Sequence, residues 1–113
     1  MWPLKASPTL SAASRWMSED MASHQSLSHT DSLGRDPSQR MADFGYQPSS
    51  CWGEILSGAE SPQAAFQSWR DSPPHRANML KNGVTKLGIA ASYAPNTKYK
   101  VFWTLILASS ETG

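Results

Sequence analysis

The 113-residue sequence predicts one α+β domain with its helices towards the N-terminus and its strands towards the C-terminus. Pairs of a capping residue and a proline mark several helix starts in the first two thirds of the chain. After Gly83 the apolar residues change from the helical spacing of three or four to the alternation of a strand. A chain of this length buries a sufficient core without metal or disulfide cross-links.

Four helices are predicted to begin where a residue with a side-chain oxygen precedes proline. The first runs from Pro8 to about His24 and places its apolar residues on one stripe. His24 lies near its end, where the helix dipole favours a cation. The second is short and is predicted to stop at Gly45. The capping pairs are Ser7-Pro8, Asp36-Pro37, Ser61-Pro62 and Ser72-Pro73, and the last helix is predicted to end at Asn82-Gly83.

Two strands and a hairpin are predicted near the C-terminus. "TKLGIAASY" (85–93) alternates in hydrophobicity, whereas "YKVFWTLILA" (99–108) is apolar on both faces, as a central strand is. The intervening "APNTK" (94–98) has turn composition, which favours an antiparallel hairpin. A shorter strand is predicted around "CWGEIL" (51–56).

Composition excludes several classes of site and partner. The formal net charge is +1 and the Lys and Arg residues are scattered, so we expect no nucleic-acid partner. Cys51 is the single cysteine, which excludes an intramolecular disulfide and a thiolate metal cluster. No apolar run reaches transmembrane length, and "MWPLKASPTL" (1–10) has no apolar stretch of signal-peptide length. We therefore expect either a cytoplasmic chain or an export signal outside this sequence.

Three residues are candidates for site chemistry. Glu54 lies in a short apolar strand, where an unpaired buried carboxylate is unfavourable, so we expect a cation or a histidine beside it. His29 falls in the turn-like connection "LSHTDSLGR" (27–35). If Ser72 caps its helix, His75 occupies N3, where the positive helix end favours a neutral ring that binds metal or accepts a proton. Spacing alone leaves open whether these residues share one site or are unrelated.

Several stretches together resemble the CAP superfamily, which comprises cysteine-rich secretory proteins, antigen five and pathogenesis-related proteins. They are "SHTDSLGR" (28–35), the "GE" of the short strand, "AFQSWRDSPPHRANML" (65–80) and "KLGIAASY" (86–93). The chain is most similar to the bacterial members, also called the SCP domain, and the likeness covers nearly all of residues 1–113. This resemblance implies a three-layer α-β-α sandwich with a central antiparallel sheet and a broad cleft. Matched by motif, His29, Glu54 and His75 correspond to the family residues that line this cleft and, in some members, hold a divalent metal.

The sequence departs from the family pattern at three places. The family's second glutamate falls at Ser72, and the adjacent Asp71 is the remaining acidic candidate for ligand binding. The asparagine that usually follows the first glutamate is Ile55. Many members carry a further N-terminal helix, which we expect this chain to lack.

The resemblance implies a secreted, extracellular binding module for a small-molecule, lipid or peptide ligand. A divalent metal, preferably zinc, would be held by His29 and His75, with Glu54 as third ligand or as hydrogen-bond acceptor. One alternative is a metal-assisted peptidase or esterase with Glu54 as general base. We expect binding rather than catalysis, because neither an HExxH helix nor a recognisable activated nucleophile is present in the sequence.

A second alternative is a lipid- or sterol-binding module that uses aromatic surface. We expect most of the aromatic residues to be ordinary core instead. The residues concerned are Phe44, Tyr46, Trp52, Phe66, Trp69, Tyr93, Phe102 and Trp103.

Overall fold

The computed structural model describes residues 5–50, 52–58, 84–95 and 100–111. The described helices are α1 (Pro8–His24) and α2 (Pro37–Asp43), and the strands are β1 (Lys5–Ala6), β2 (Trp52–Gly58), β3 (Lys86–Ala94) and β4 (Lys100–Ala108). The predicted α+β class is confirmed. The helices predicted from Pro62 and Pro73 lie outside the described residues, as does Cys51.

Side-chain caps set the starts of both described helices where the sequence predicts them. The Ser7 hydroxyl accepts a hydrogen bond from the backbone N–H of Leu10 at 3.2 Å, and Pro8 follows at the first helical turn. At α2 the Asp36 carboxylate accepts from the backbone N–H of Gln39 at 2.8 Å, while the Gln39 side chain accepts from the Asp36 N–H at 2.9 Å. This reciprocal capping box fixes the first turn of a helix that is only seven residues long.

The sheet has the order β1-β3-β4-β2, and its three long strands are antiparallel. The predicted hairpin is confirmed, with Lys86 opposite Ala108 in the β3–β4 pair. Strand β2 pairs with the other edge of β4, which places β4 in the centre, as its apolar sequence predicts. The parallel pairing of β1 with β3 was not predicted, since two residues are too short to show a periodic pattern.

Helix α1 lies against one face of β3 and β4 at very close range. A Cβ atom on Gly88 would come within 2.4 Å of the Leu10 carbonyl carbon and oxygen. The hydroxyl of Ser14 donates to the carbonyl of Gly88 at 3.0 Å, and the hydroxyl of Ser18 donates to the carbonyl of Ala90 at 3.1 Å. A glycine and two small polar side chains therefore allow the helix backbone to approach the sheet backbone.

The two faces of β4 belong to different apolar clusters. Phe102 and Ile106 face the helices, and Ile106 packs with Leu10 of α1 and Met41 of α2. Leu105 and Leu107 pack with Ile55 on the opposite face. The predicted burial of β4 on both faces is confirmed over its last residues, 104–108. Neither described helix is long and apolar enough to span a bilayer.

Candidate functional site

Glu54 is a buried carboxylate on the helix-facing side of β2. It lies opposite Ile106 in the β2–β4 register, and its neighbours on the same side of the strand are Trp52 and Leu56. Only 1% of its side chain is exposed. A carboxylate in this position requires polar partners, because burying an unpaired charge is strongly unfavourable. The partners come from the α1–α2 connection and from α2.

His29 provides the first partner, as the sequence predicts. Its Nδ1 lies 2.8 Å from Oε1 of Glu54, and 60% of the His29 side chain is exposed. An ionised carboxylate only accepts hydrogen bonds, so Nδ1 carries the hydrogen of this bond. In the neutral ring, Nε2 is then the unprotonated nitrogen with a free lone pair. The arrangement is that of a carboxylate-oriented histidine, ready to bind a metal ion or a hydrogen-bond donor.

Arg40 provides the second partner and is fully buried. Its Nη1 donates to Oε2 of Glu54 at 2.5 Å, so each oxygen of that carboxylate has a different partner. The Arg40 Nε donates to Oδ2 of Asp31 at 2.9 Å, and Nη2 donates to the backbone carbonyl of His29 at 2.7 Å. One guanidinium therefore connects α2, β2 and the connection that carries His29.

Asp31 closes the network from inside the α1–α2 connection. Its Oδ1 accepts from the backbone N–H groups of Leu33 and Arg35 at 2.9 and 3.0 Å. Its Oδ2 accepts from Nε of Arg35 at 3.0 Å and from Nε of Arg40. The turn needs a left-handed residue, which Gly34 supplies with φ of 80°. A single buried carboxylate thus shapes the turn and holds Arg40.

Further contacts attach this connection to the two helices. The Arg35 guanidinium lies 4.6 Å from the centre of the Trp16 ring on α1, and its Nη1 donates to Asp43 of α2 at 3.0 Å. The backbone N–H of Ser32 donates to the Asp20 carboxylate of α1 at 2.9 Å. Contacts to both helices therefore hold the connection that carries His29.

The site perturbs two pKa values in opposite directions. The hydrogen bond from His29 to Glu54 raises the pKa of His29 above 6.5, while partial burial and the charge of Arg40 oppose that rise. Burial alone would raise the pKa of Asp31, but the hydrogen bonds from Arg35, Arg40 and Leu33 outweigh it and lower the pKa below 3.8. Asp31 is therefore a carboxylate at neutral pH, which is the form that Arg40 requires.

The structure brings together two of the four predicted site residues, His29 and Glu54. The other two, Asp71 and His75, lie outside the described residues. His24 is at the end of α1, as predicted, with its Nδ1 3.0 Å from the carbonyl oxygen of Asp20. Sequence analysis did not identify Arg40 and Asp31 as members of the site.

A signal for Arg40 is present in the sequence. It shares an apolar stripe with Pro37 and Met41 of α2 and with Phe44 at the C-cap, at helical spacings of three and four. An arginine on an apolar stripe and a glutamate in an apolar strand each need a buried partner of opposite charge. The two residues together therefore indicate the Arg40–Glu54 contact.

His29 fits the role of a nitrogen ligand for a metal, with Glu54 as the acceptor that orients the ring. Both oxygens of Glu54 are already bonded, to His29 and Arg40, which favours the orienting role for Glu54 over direct coordination. Within residues 5–50, 52–58, 84–95 and 100–111, no group of three His, Cys, Asp or Glu side chains is arranged to hold a metal ion.

Comparison with known proteins identifies the family. A sequence model of the cysteine-rich secretory protein family, CAP, matches residues 1–107. The chain belongs to the CAP family. A relative by sequence is the uncharacterized protein YkwD of Bacillus subtilis, 29% identical over 87 residues, which are 77% of this chain and 34% of the relative. This chain spans about a third of the length of that relative.

Two solved structures share the fold. An outer surface protein of Borrelia burgdorferi superposes with a TM-score of 0.81 at 18% identity, covering 96% of this chain and 79% of the other. An extracellular protein containing an SCP domain from Bacillus anthracis gives a TM-score of 0.78 at 24% identity, covering 96% of this chain and 35% of the other. The predicted resemblance to the CAP superfamily and its α+β sandwich is confirmed.

Proposed function

We propose that this CAP domain is an extracellular ligand-binding module whose binding centre is Nε2 of His29. In this proposal His75 supplies a second imidazole, and the two rings hold a divalent metal ion, preferably zinc, that in turn holds the ligand. The observation that carries the proposal is the 2.8 Å contact between His29 Nδ1 and Glu54, because it commits Nδ1 and leaves Nε2 for the ligand. With two protein nitrogens, zinc binding is expected to be weak.

The proposed extracellular location is supported by the names of the structural neighbours. One is an outer surface protein and the other an extracellular protein. A small-molecule, lipid or peptide ligand remains the class implied by the family.

The geometry favours binding over metal-assisted hydrolysis. A general base must be within reach of the water whose proton it accepts. Both oxygens of Glu54 instead accept hydrogen bonds, from His29 and from Arg40, and the side chain is 1% exposed.

The described aromatic residues support a polar binding centre over an aromatic lipid groove. Tyr46 and Phe102 are buried in the core, and Phe44, Trp52 and Trp103 pack against it. Tyr93 is the exception, with 72% of its surface exposed. Five of these six residues are therefore in the core or packed against it, as expected, whereas Phe66 and Trp69 lie outside the described residues.

Calorimetric titration with zinc tests the proposal. We expect the wild-type chain to bind zinc at one site and His29→Ala to weaken binding by at least about 10-fold, since it removes a ligand. His24→Ala is the matched control, because His24 is also an exposed histidine but lies at the end of α1, and it should bind within about twofold of wild type. Equal zinc affinity in wild type and His29→Ala would contradict the proposal.

A further inference from the structure

We propose that Arg40 is the positioning residue of this site, fixing which nitrogen His29 presents to a ligand. The ligand in this proposal rests on the proposed function, whereas the effect of Arg40 on Glu54 and His29 does not. Arg40 itself is fully buried and touches no solvent, so it acts through its neighbours.

Each nitrogen of the Arg40 guanidinium has its own acceptor. Nη1 binds Oε2 of Glu54, Nη2 binds the His29 carbonyl at 2.7 Å, and Nε binds Asp31 at 2.9 Å. The first bond occupies one Glu54 oxygen and leaves Oε1 for the His29 ring. The second holds the backbone of His29. The planar Arg40 guanidinium therefore fixes both Glu54, which accepts the hydrogen bond of the His29 ring, and the backbone of His29.

Without this constraint, Glu54 and His29 have other arrangements. A carboxylate with two free oxygens rotates, and a half-exposed imidazole turns to offer either nitrogen to solvent. Fixing both ends of the hydrogen bond selects the Nδ1–H tautomer and keeps Nε2 for the ligand. Arg40, which is buried and out of reach of a ligand, thus determines that His29 presents Nε2 to solvent.

The fixed position of Arg40 has its own supports. The capping box at Asp36 and Gln39 sets the first turn of α2, one residue before Arg40. Asp31 accepts a hydrogen bond from Nε of Arg40, and two backbone N–H groups of its own turn hold Asp31 in place. A lysine carries the same charge on a flexible stem and lacks the planar fork, so it does not reproduce three divergent bonds in one plane.

Arg40→Lys separates positioning from charge neutralisation. The readout is the His29 ring in ¹⁵N-resolved NMR spectra, recorded at a pH where the imidazole is neutral, together with the zinc dissociation constant. We expect wild type to show the Nδ1–H tautomer and Arg40→Lys to show a mixture of tautomers. We also expect zinc binding to weaken by about 10- to 100-fold, as for loss of other groups that orient a metal ligand.

Arg15→Lys is the matched control, because Arg15 is exposed on α1 and outside the site. It should reproduce both wild-type readouts. If Arg40→Lys also keeps the wild-type tautomer and a zinc affinity within about twofold, Arg40 only neutralises charge and the inference is wrong.

A measurement on the unmodified protein covers the case in which Arg40→Lys fails to fold. Three separate acceptors prevent rotation about the Nε–Cζ bond, so wild type should show distinct Nη1 and Nη2 signals for Arg40. A single averaged Nη signal would overturn the inference. If wild type binds no zinc, the proposed function is contradicted, whereas the His29 tautomer and the Arg40 signals still decide the positioning role.

Discussion

Glu54 shows how far a single residue predicts its surroundings. The sequence places this carboxylate in an apolar strand, and physical chemistry then requires a cation or a histidine beside it. The histidine was predicted and lies 2.8 Å away. The cation was required but not identified, because Arg40 comes from a different element and its contact depends on the tertiary fold. The sequence around Glu54 therefore predicts that a cationic partner exists, but not which residue it is.

Glu54→Gln is predicted to lower the pKa of His29. In wild type the bond to Glu54 raises this pKa above 6.5 against the opposing effects of burial and Arg40. Once the carboxylate is neutral, only the opposing effects remain, so the pKa should fall below 6.5. NMR titration of the His29 ring measures this, with His24 as a reference signal in the same spectra. An unchanged pKa would show that the hydrogen bond does not form in solution.

The same bond predicts how stability depends on pH. Because the folded-state pKa of His29 is raised, the charged ring stabilises the fold fully below pH 6.5. This stabilisation is lost as the pH rises through the folded-state pKa. The free energy of unfolding, measured by urea denaturation, should therefore decrease across that interval in wild type and not in Glu54→Gln. The decrease should be small, since 60% of the His29 side chain is exposed.

At the scale of elements, the boundaries of α1 and α2 were predictable because local chemistry sets them. Their starts coincide with capping residues followed by proline, and α2 ends at Asp43, two residues before Gly45. The strands of the hairpin were also predictable, β3 from its alternating hydrophobicity and β4 from its continuous apolar sequence. The parallel pairing of β1 was not, because a two-residue strand is defined by its partner rather than by its own sequence.

Gly88→Ala is predicted to loosen the contact between α1 and the sheet. The added Cβ would lie 2.2 Å from the carbonyl carbon of Leu10, and a helix backbone cannot yield as a flexible side chain does. We expect unfolding to become easier by about 1–3 kcal/mol or more, the usual cost of overpacking. Urea denaturation measures the change.

Ala91→Val is the control for that substitution. It adds carbon atoms to an exposed residue of the same strand and should change stability by less than about 0.5 kcal/mol. If Gly88→Ala is as stable as this control, α1 does not approach the sheet at Gly88 as closely as described.

At the scale of the whole molecule, the family and its fold were predictable, because the motifs are specific and extend over most of the chain. The family match over residues 1–107 and the TM-scores of 0.81 and 0.78 confirm them. The chemistry of the ligand was not predictable, since relatives of known fold but low identity define architecture alone. The chain also spans only about a third of its relative YkwD, so the activity of a longer protein is a separate question.

The central claim is that His29 and His75 converge on one ligand, with His29 turned outward by Glu54. The chain has three histidines, so ¹⁵N-resolved NMR spectra of the rings, recorded with and without zinc, test it directly. We predict that zinc shifts Nε2 of His29 and one ring nitrogen of His75, leaves His24 unchanged and preserves the hydrogen on Nδ1 of His29. Zinc-induced shifts confined to one of the two proposed ligands, or loss of the Nδ1 hydrogen, would contradict the account.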